Sequence, residues 1–67
     1  MSMNMSDPLN RELLTVRALS FLSANGITTL GDLLSYSISE YLHMRNCDKK
    51  ILYEIIDYAE MAGHHLA

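Results

Sequence analysis

The sequence predicts an all-α protein, a compact bundle of four to five short helices containing two helix-hairpin-helix motifs. Three observations lead there. Apolar residues recur at three- and four-residue spacing around Val16, Leu19 and Leu22, and again at Ile51, Leu52, Ile55, Ile56 and Ala59. Residues that start helices precede each apolar run: Thr15, the Thr29/Asp32 pair, the Ser37/Glu40 pair and Asp48. No segment alternates apolar and polar residues over strand length, and no Asn-Gly turn joins two β-branched runs. With 67 residues, 49% of them hydrophobic, the chain holds one domain. A domain of this size buries only about 60% of its unfolded surface, and the lone Cys47 cannot form an internal disulfide.

Residues 1–11 carry Ser, Asn, Asp and the only proline without hydrophobic periodicity, and read as a flexible lead or tag; the folded domain is expected over residues 12–67. A first helix over about Val16 to Ala24 follows Thr15, whose hydroxyl can accept from an amide one turn on. Val16, Ala18, Leu19, Phe21 and Leu22 form its expected buried face. Asn25-Gly26 stops it, because glycine takes the left-handed conformation past a helix end without a steric penalty. A second short helix starts at the Thr29/Asp32 pair. A third, about Ile38 to Met44, starts at the Ser37/Glu40 capping box. After the polar turn Arg45-Asn46-Cys47-Asp48, the longest helix runs from Lys49, with Asp48 as its N-cap and Gly63 as its stop.

The layout of helix, glycine, Ile27-Thr28-Thr29-Leu30-Gly31-Asp32 and helix is that of a hairpin whose tight turn exposes backbone amides, and such amides at a helix start favour phosphate oxygens. The third and fourth helices repeat the layout across residues 45–48. The formal charge is -3, from five Lys+Arg against eight Asp+Glu. Even so, Arg17, Arg45, Lys49 and Lys50 stand at the hairpin ends, and a lysine pair at a helix start opposes the helix dipole, which favours a polyanion contact over a stabilising role.

Other chemistries find no support. No Ser-His-Asp set, paired carboxylates or Gly-rich phosphate loop stands in a catalytic context, so no enzyme activity is expected. His64 and His65 are adjacent and point apart, with no ligand set at zinc spacing, so neither metal nor cofactor is expected. Cys47 reads as a free thiol, and Tyr36, Tyr41, Tyr53 and Tyr58 as core edges, some of them partner contacts. Without a signal-like segment or an apolar run of spanning length, the expectation is a soluble cytoplasmic protein with no membrane contact.

Taken together, Glu12-Leu13-Leu14-Thr15-Val16-Arg17, Leu22, Gly26-Ile27-Thr28-Thr29-Leu30-Gly31-Asp32-Leu33-Leu34, Tyr41-Leu42-His43-Met44-Arg45-Asn46, Lys49-Lys50, Leu52 and Glu54-Ile55 resemble, in order, the C-terminal domain of the bacterial RNA polymerase alpha subunit. The resemblance implies a small bundle of short helices with two hairpins. It also implies a non-catalytic domain that binds the minor groove of A/T-rich promoter DNA and docks against RNA polymerase partners, sigma factor and activators. By position, Arg17 matches the family's minor-groove arginine, Asn46 an asparagine of the second hairpin, Lys50 a phosphate-contacting lysine beside Lys49, and Glu54 an acidic residue at the edge of the same surface.

The sequence also departs from that pattern. Ser20 stands where the family has a longer-reaching asparagine, and Asn46-Cys47-Asp48-Lys49-Lys50-Ile51 replaces Asn-Leu-Gly-Lys-Lys-Ser. Asp48 brings a negative charge toward a phosphate and Ile51 removes a hydroxyl donor, so DNA binding is expected to weaken by about 1 to 3 kcal/mol. The alternative expectation is a protein-protein adaptor that kept the fold and lost most DNA affinity.

Overall fold

The computed structural model describes residues 3–67. Its helices are α1 (Val16–Ala24), α2 (Leu30–Leu34), α3 (Ile38–Leu42) and α4 (Lys49–Met61). Each begins where the sequence places a cap. Thr15 accepts from the Ala18 amide, Asp48 accepts from the Ile51 amide, and the Thr29/Asp32 and Ser37/Glu40 pairs form reciprocal capping boxes. Gly26 and Gly63 take the positive φ of 73° and 84° expected past α1 and α4. Behind Gly26, the Ile27 amide turns back to the Leu22 carbonyl at 2.8 Å, which aims the backbone into the first hairpin.

The longest helix, α4, is the hub against which α1, α2 and α3 all pack. It buries Ile51, Leu52, Ile55, Tyr58 and Ala59, while α1 brings Ala18, Phe21 and Leu22, and the hairpins bring Ile27, Leu30, Leu33 and Tyr41. Among the described residues every buried side-chain polar atom has a partner. The Tyr41 hydroxyl donates to the Leu33 carbonyl, and the Tyr58 hydroxyl accepts from the Asn10 amide at 2.8 Å. These two tyrosines are therefore full members of the core, whereas Tyr53 stands exposed on α4.

Three expectations require correction. Val16 is 80% exposed and does not belong to the buried stripe of α1; as the first helical residue it lies off the face made by Ala18, Phe21 and Leu22. The third helix stops at Leu42 instead of Met44, because the His43 amide is shared between the Ser39 and Glu40 carbonyls and the Met44 amide turns to the Tyr41 carbonyl three residues back, which tightens the last turn. The third correction concerns the expected flexible lead. Met1 and Ser2 lie outside the described residues, but from Met3 onward the segment packs against the bundle. Leu9 enters the core, Pro8 forms an antiparallel bridge with Thr29, and the Leu9 amide reaches the Thr28 carbonyl at 3.1 Å. Its order comes from a hairpin distant in sequence, which local periodicity cannot show.

Candidate nucleic-acid interface

The two hairpins share a layout and differ in what their turns leave open. In the first, the amides of Leu30 and Gly31 donate to the carbonyls of Asp7 and Met5, at 3.1 and 2.8 Å. The Thr28 and Thr29 amides go to the Asp32 carboxylate, and the Asp32 amide to the Thr29 hydroxyl. Those bonds hold the Asp32 carboxyl below the usual carboxylate range, the backbone amide of Thr28 contributing most. Gly31 suits the same seal, since a Cβ there would stand 3.0 Å from the Met5 carbonyl oxygen and the N-terminal segment would have to give way by a few tenths of an ångström. The expectation that this turn offers amides to a phosphate is therefore corrected: the protein's own N-terminal segment takes them.

The second hairpin is open. Asn46 adopts φ 69°, a left-handed conformation that asparagine tolerates better than most residues, and this turns the backbone sharply between α3 and α4. The turn faces α1 across a groove of about 540 Å³. Arg17, Ser20, Phe21, Ala24 and Asn25 line one side, and Arg45, Asn46, Cys47, Asp48 and Ile51 the other. Four of the expected site residues, Arg17, Ser20, Asn46 and Asp48, thus meet at one place although they come from opposite halves of the sequence. Lys49 and Lys50 are exposed beside it in the first turn of α4, where backbone amides lack helical partners.

Two expected site residues play parts that their charge alone does not suggest. Asp48 divides its carboxylate: Oδ1 accepts from the Ile51 amide at 2.8 Å as the α4 cap, and Oδ2 lies 3.5 Å from Nη1 of Arg17. Glu54 does not line the groove. Its Oε1 accepts from the Thr15 amide at 3.0 Å and its Oε2 from the Thr15 hydroxyl at 2.9 Å, which ties α4 to the start of α1 two residues before Arg17. Ile51, which replaces a hydroxyl-bearing residue in the family pattern, is buried in the core. Cys47 is half-buried, and burial followed by the neighbouring Asp48 charge pushes its thiol pKa up, away from the reactive thiolate.

Arg45, read from the sequence with Arg17, Lys49 and Lys50 as part of a cationic cluster, lines the groove, whereas Asn25 was not expected there. Asn25 carried only its helix-stop signal, and it also donates from Nδ2 to the Phe21 carbonyl at 2.9 Å.

A hub helix carrying one sealed and one open hairpin, with cations around the open turn, defines a double-hairpin interaction module. Residues 4–60 match the family described as the C-terminal domain of the bacterial RNA polymerase alpha subunit. A DNA-directed RNA polymerase subunit alpha of Porphyromonas gingivalis (strain ATCC BAA-308 / W83) is 52% identical over 42 residues, which is 63% of this chain and 13% of that protein. No solved structure matches the sequence. The protein belongs to the family of C-terminal domains of bacterial RNA polymerase alpha subunits, a transcription domain that is not itself an enzyme. No helix among the described residues is long and apolar enough to cross a membrane.

Proposed function

We propose that this chain is a cytoplasmic transcription module that binds A/T-rich double-stranded promoter DNA, with Arg17 entering the minor groove and Asn46, Lys49 and Lys50 reaching the flanking phosphates. The observation that supports it best is the meeting of Arg17, Ser20, Asn46 and Asp48 in one groove beside the lysine pair. A narrow A-tract minor groove concentrates negative potential and draws a guanidinium in, while the lysines add sequence-independent affinity that salt weakens. Ser20, shorter than the family's asparagine, leaves base-edge reading mainly to Arg17. RNA polymerase, a sigma factor or an activator would dock on the surfaces that DNA leaves free.

The test is an amide NMR titration of the labelled protein with a short A/T-rich duplex at low and then physiological salt. The expected result is shifts confined to residues 17–20 and 45–54 that weaken as salt rises. Shifts absent at millimolar duplex would overturn the reading. The Arg17–Asp48 ion pair favours a second reading, a protein-protein adaptor with little DNA affinity, because the guanidinium already has an anionic partner. On that reading the duplex leaves the spectrum unchanged, and RNA polymerase or a transcription factor perturbs it.

A further inference from the structure

We propose that Asp48 is a built-in counter-ion that masks Arg17, so that nucleic acid must displace this carboxylate before the arginine can enter the groove; the inference rests on the DNA-binding reading above. The carboxylate is fixed in place rather than merely nearby, because the Ile51 amide holds its Oδ1 at 2.8 Å and leaves Oδ2 directed toward Arg17 at 3.5 Å. The helix that carries Arg17 is anchored two residues before it, where Glu54 accepts from the Thr15 amide and hydroxyl. Both partners remain reachable, at 68% and 49% side-chain exposure. An exposed pair of this kind is weak, which lets a polyanion displace it. The mask therefore tunes affinity instead of abolishing it, and cancels one of the cations that would otherwise release counter-ions from the duplex.

The test is a double-mutant cycle on the 67-residue protein, read by fluorescence anisotropy with a short A/T-rich duplex over a range of salt. Asp48→Asn removes the charge and keeps the α4 cap, since asparagine and aspartate cap helices about equally. Asp48→Ser is the companion variant should the first fold poorly, and far-UV circular dichroism confirms the fold of each. The expected result is affinity about 1.4-fold to fivefold tighter for D48N at low salt, with the slope of log K against log salt steeper by up to about 0.9. Arg17→Ala should cost more in the D48N background than in the native protein, because the arginine is unmasked there.

Equal affinity for the native protein and D48N, with Arg17→Ala weakening both, would overturn the mask and leave the DNA-binding reading standing. A gain in D48N that is the same with and without Arg17 would also overturn it, since Asp48 would then act only by repelling phosphate. Binding by neither the native protein nor D48N would remove the DNA-binding reading and the mask together.

Discussion

Glu54 offers the sharpest test of the site, because its charge and its contacts predict opposite outcomes. Glu54→Ala deletes a charged acceptor that takes the Thr15 amide at 3.0 Å and the Thr15 hydroxyl at 2.9 Å. A hydrogen bond contributes about 0.5 to 1.5 kcal/mol, and these two sit at the lower end because water replaces the carboxylate at an exposed helix start. The loss is therefore about 1 to 2 kcal/mol, offset by a few tenths from the higher helix propensity of alanine, for a net of about 1 kcal/mol. In a domain of this size that corresponds to a melting temperature lower by about 4 to 8 °C, measured by circular dichroism. For the proposed DNA binding, removing an acidic residue near the groove should tighten binding if Glu54 acts through its charge. If it acts by fixing α1, binding weakens as Arg17 loses its anchor, by about threefold on the scale of roughly 0.6 kcal/mol. A melting temperature unchanged within about 1 °C, or tighter duplex binding, would refute the clamp.

The remaining predictions concern the seal and the titrating groups. Tyr58→Phe removes the acceptor of the Asn10 amide and should cost about 1 kcal/mol, with hydrogen exchange accelerating first at Asn10, Leu9 and Leu30; unchanged exchange there would show that the segment is held by other contacts. The Asp32 carboxyl, lowered by the Thr28 and Thr29 amides, contributes stability that is present above the ordinary aspartate pKa of about 3.9 and is lost as pH falls through its own lower value. A carboxyl NMR titration should find its midpoint below the ordinary aspartate value, and a midpoint at or above that value would contradict the capping geometry. Burial, aided by the neighbouring Tyr36, raises the Tyr41 pKa. Its stabilising effect is complete below the ordinary tyrosine pKa of about 10 and declines as pH climbs above it, because only the unfolded protein then ionises readily. Tyrosine absorbance should accordingly show a late ionisation phase that accompanies unfolding, and Tyr41→Phe should diminish that phase.

What the sequence revealed follows the range of the interactions involved. Caps act within three or four residues, so Thr15, Thr29, Ser37 and Asp48 announced all four helix starts, and Gly26 and Gly63 two of the ends. The groove was visible only through the family resemblance, which brought Arg17 and Asn46 together across a separation that periodicity could not bridge. Contacts particular to the folded state stayed hidden. Asp48 read as a cap and as a phosphate-repelling charge, yet nothing local showed that its second oxygen faces Arg17. Glu54 and Thr15 are 39 residues apart, and neither residue type demands the other. The N-terminal segment was misjudged for a related reason: its burial rests on Leu9 and on backbone carbonyls, and carbonyl partners leave no mark in side-chain sequence.

Backbone partners also decide why two hairpins of one layout differ in what they can bind. A helix-start turn attracts an anion only while its amides are unspent. In the first hairpin the protein's own carbonyls at Met5 and Asp7, together with the Asp32 carboxylate, use them up, so Gly31 there serves close backbone packing instead of phosphate approach. In the second, Asp48 takes one amide and leaves the first turn of α4 facing outward with Lys49 and Lys50. On the proposed DNA-binding reading, a phosphate would meet that turn beside a negative charge, so its affinity would depend on whether Asp48 is satisfied by Arg17 or left to repel. Restoring glycine at position 48 would therefore combine two opposing effects, freeing the arginine while removing a side-chain cap at a cost of roughly a few tenths of a kcal/mol. Asp48→Asn separates them, so on the proposed DNA-binding reading it tests charge independently of backbone freedom.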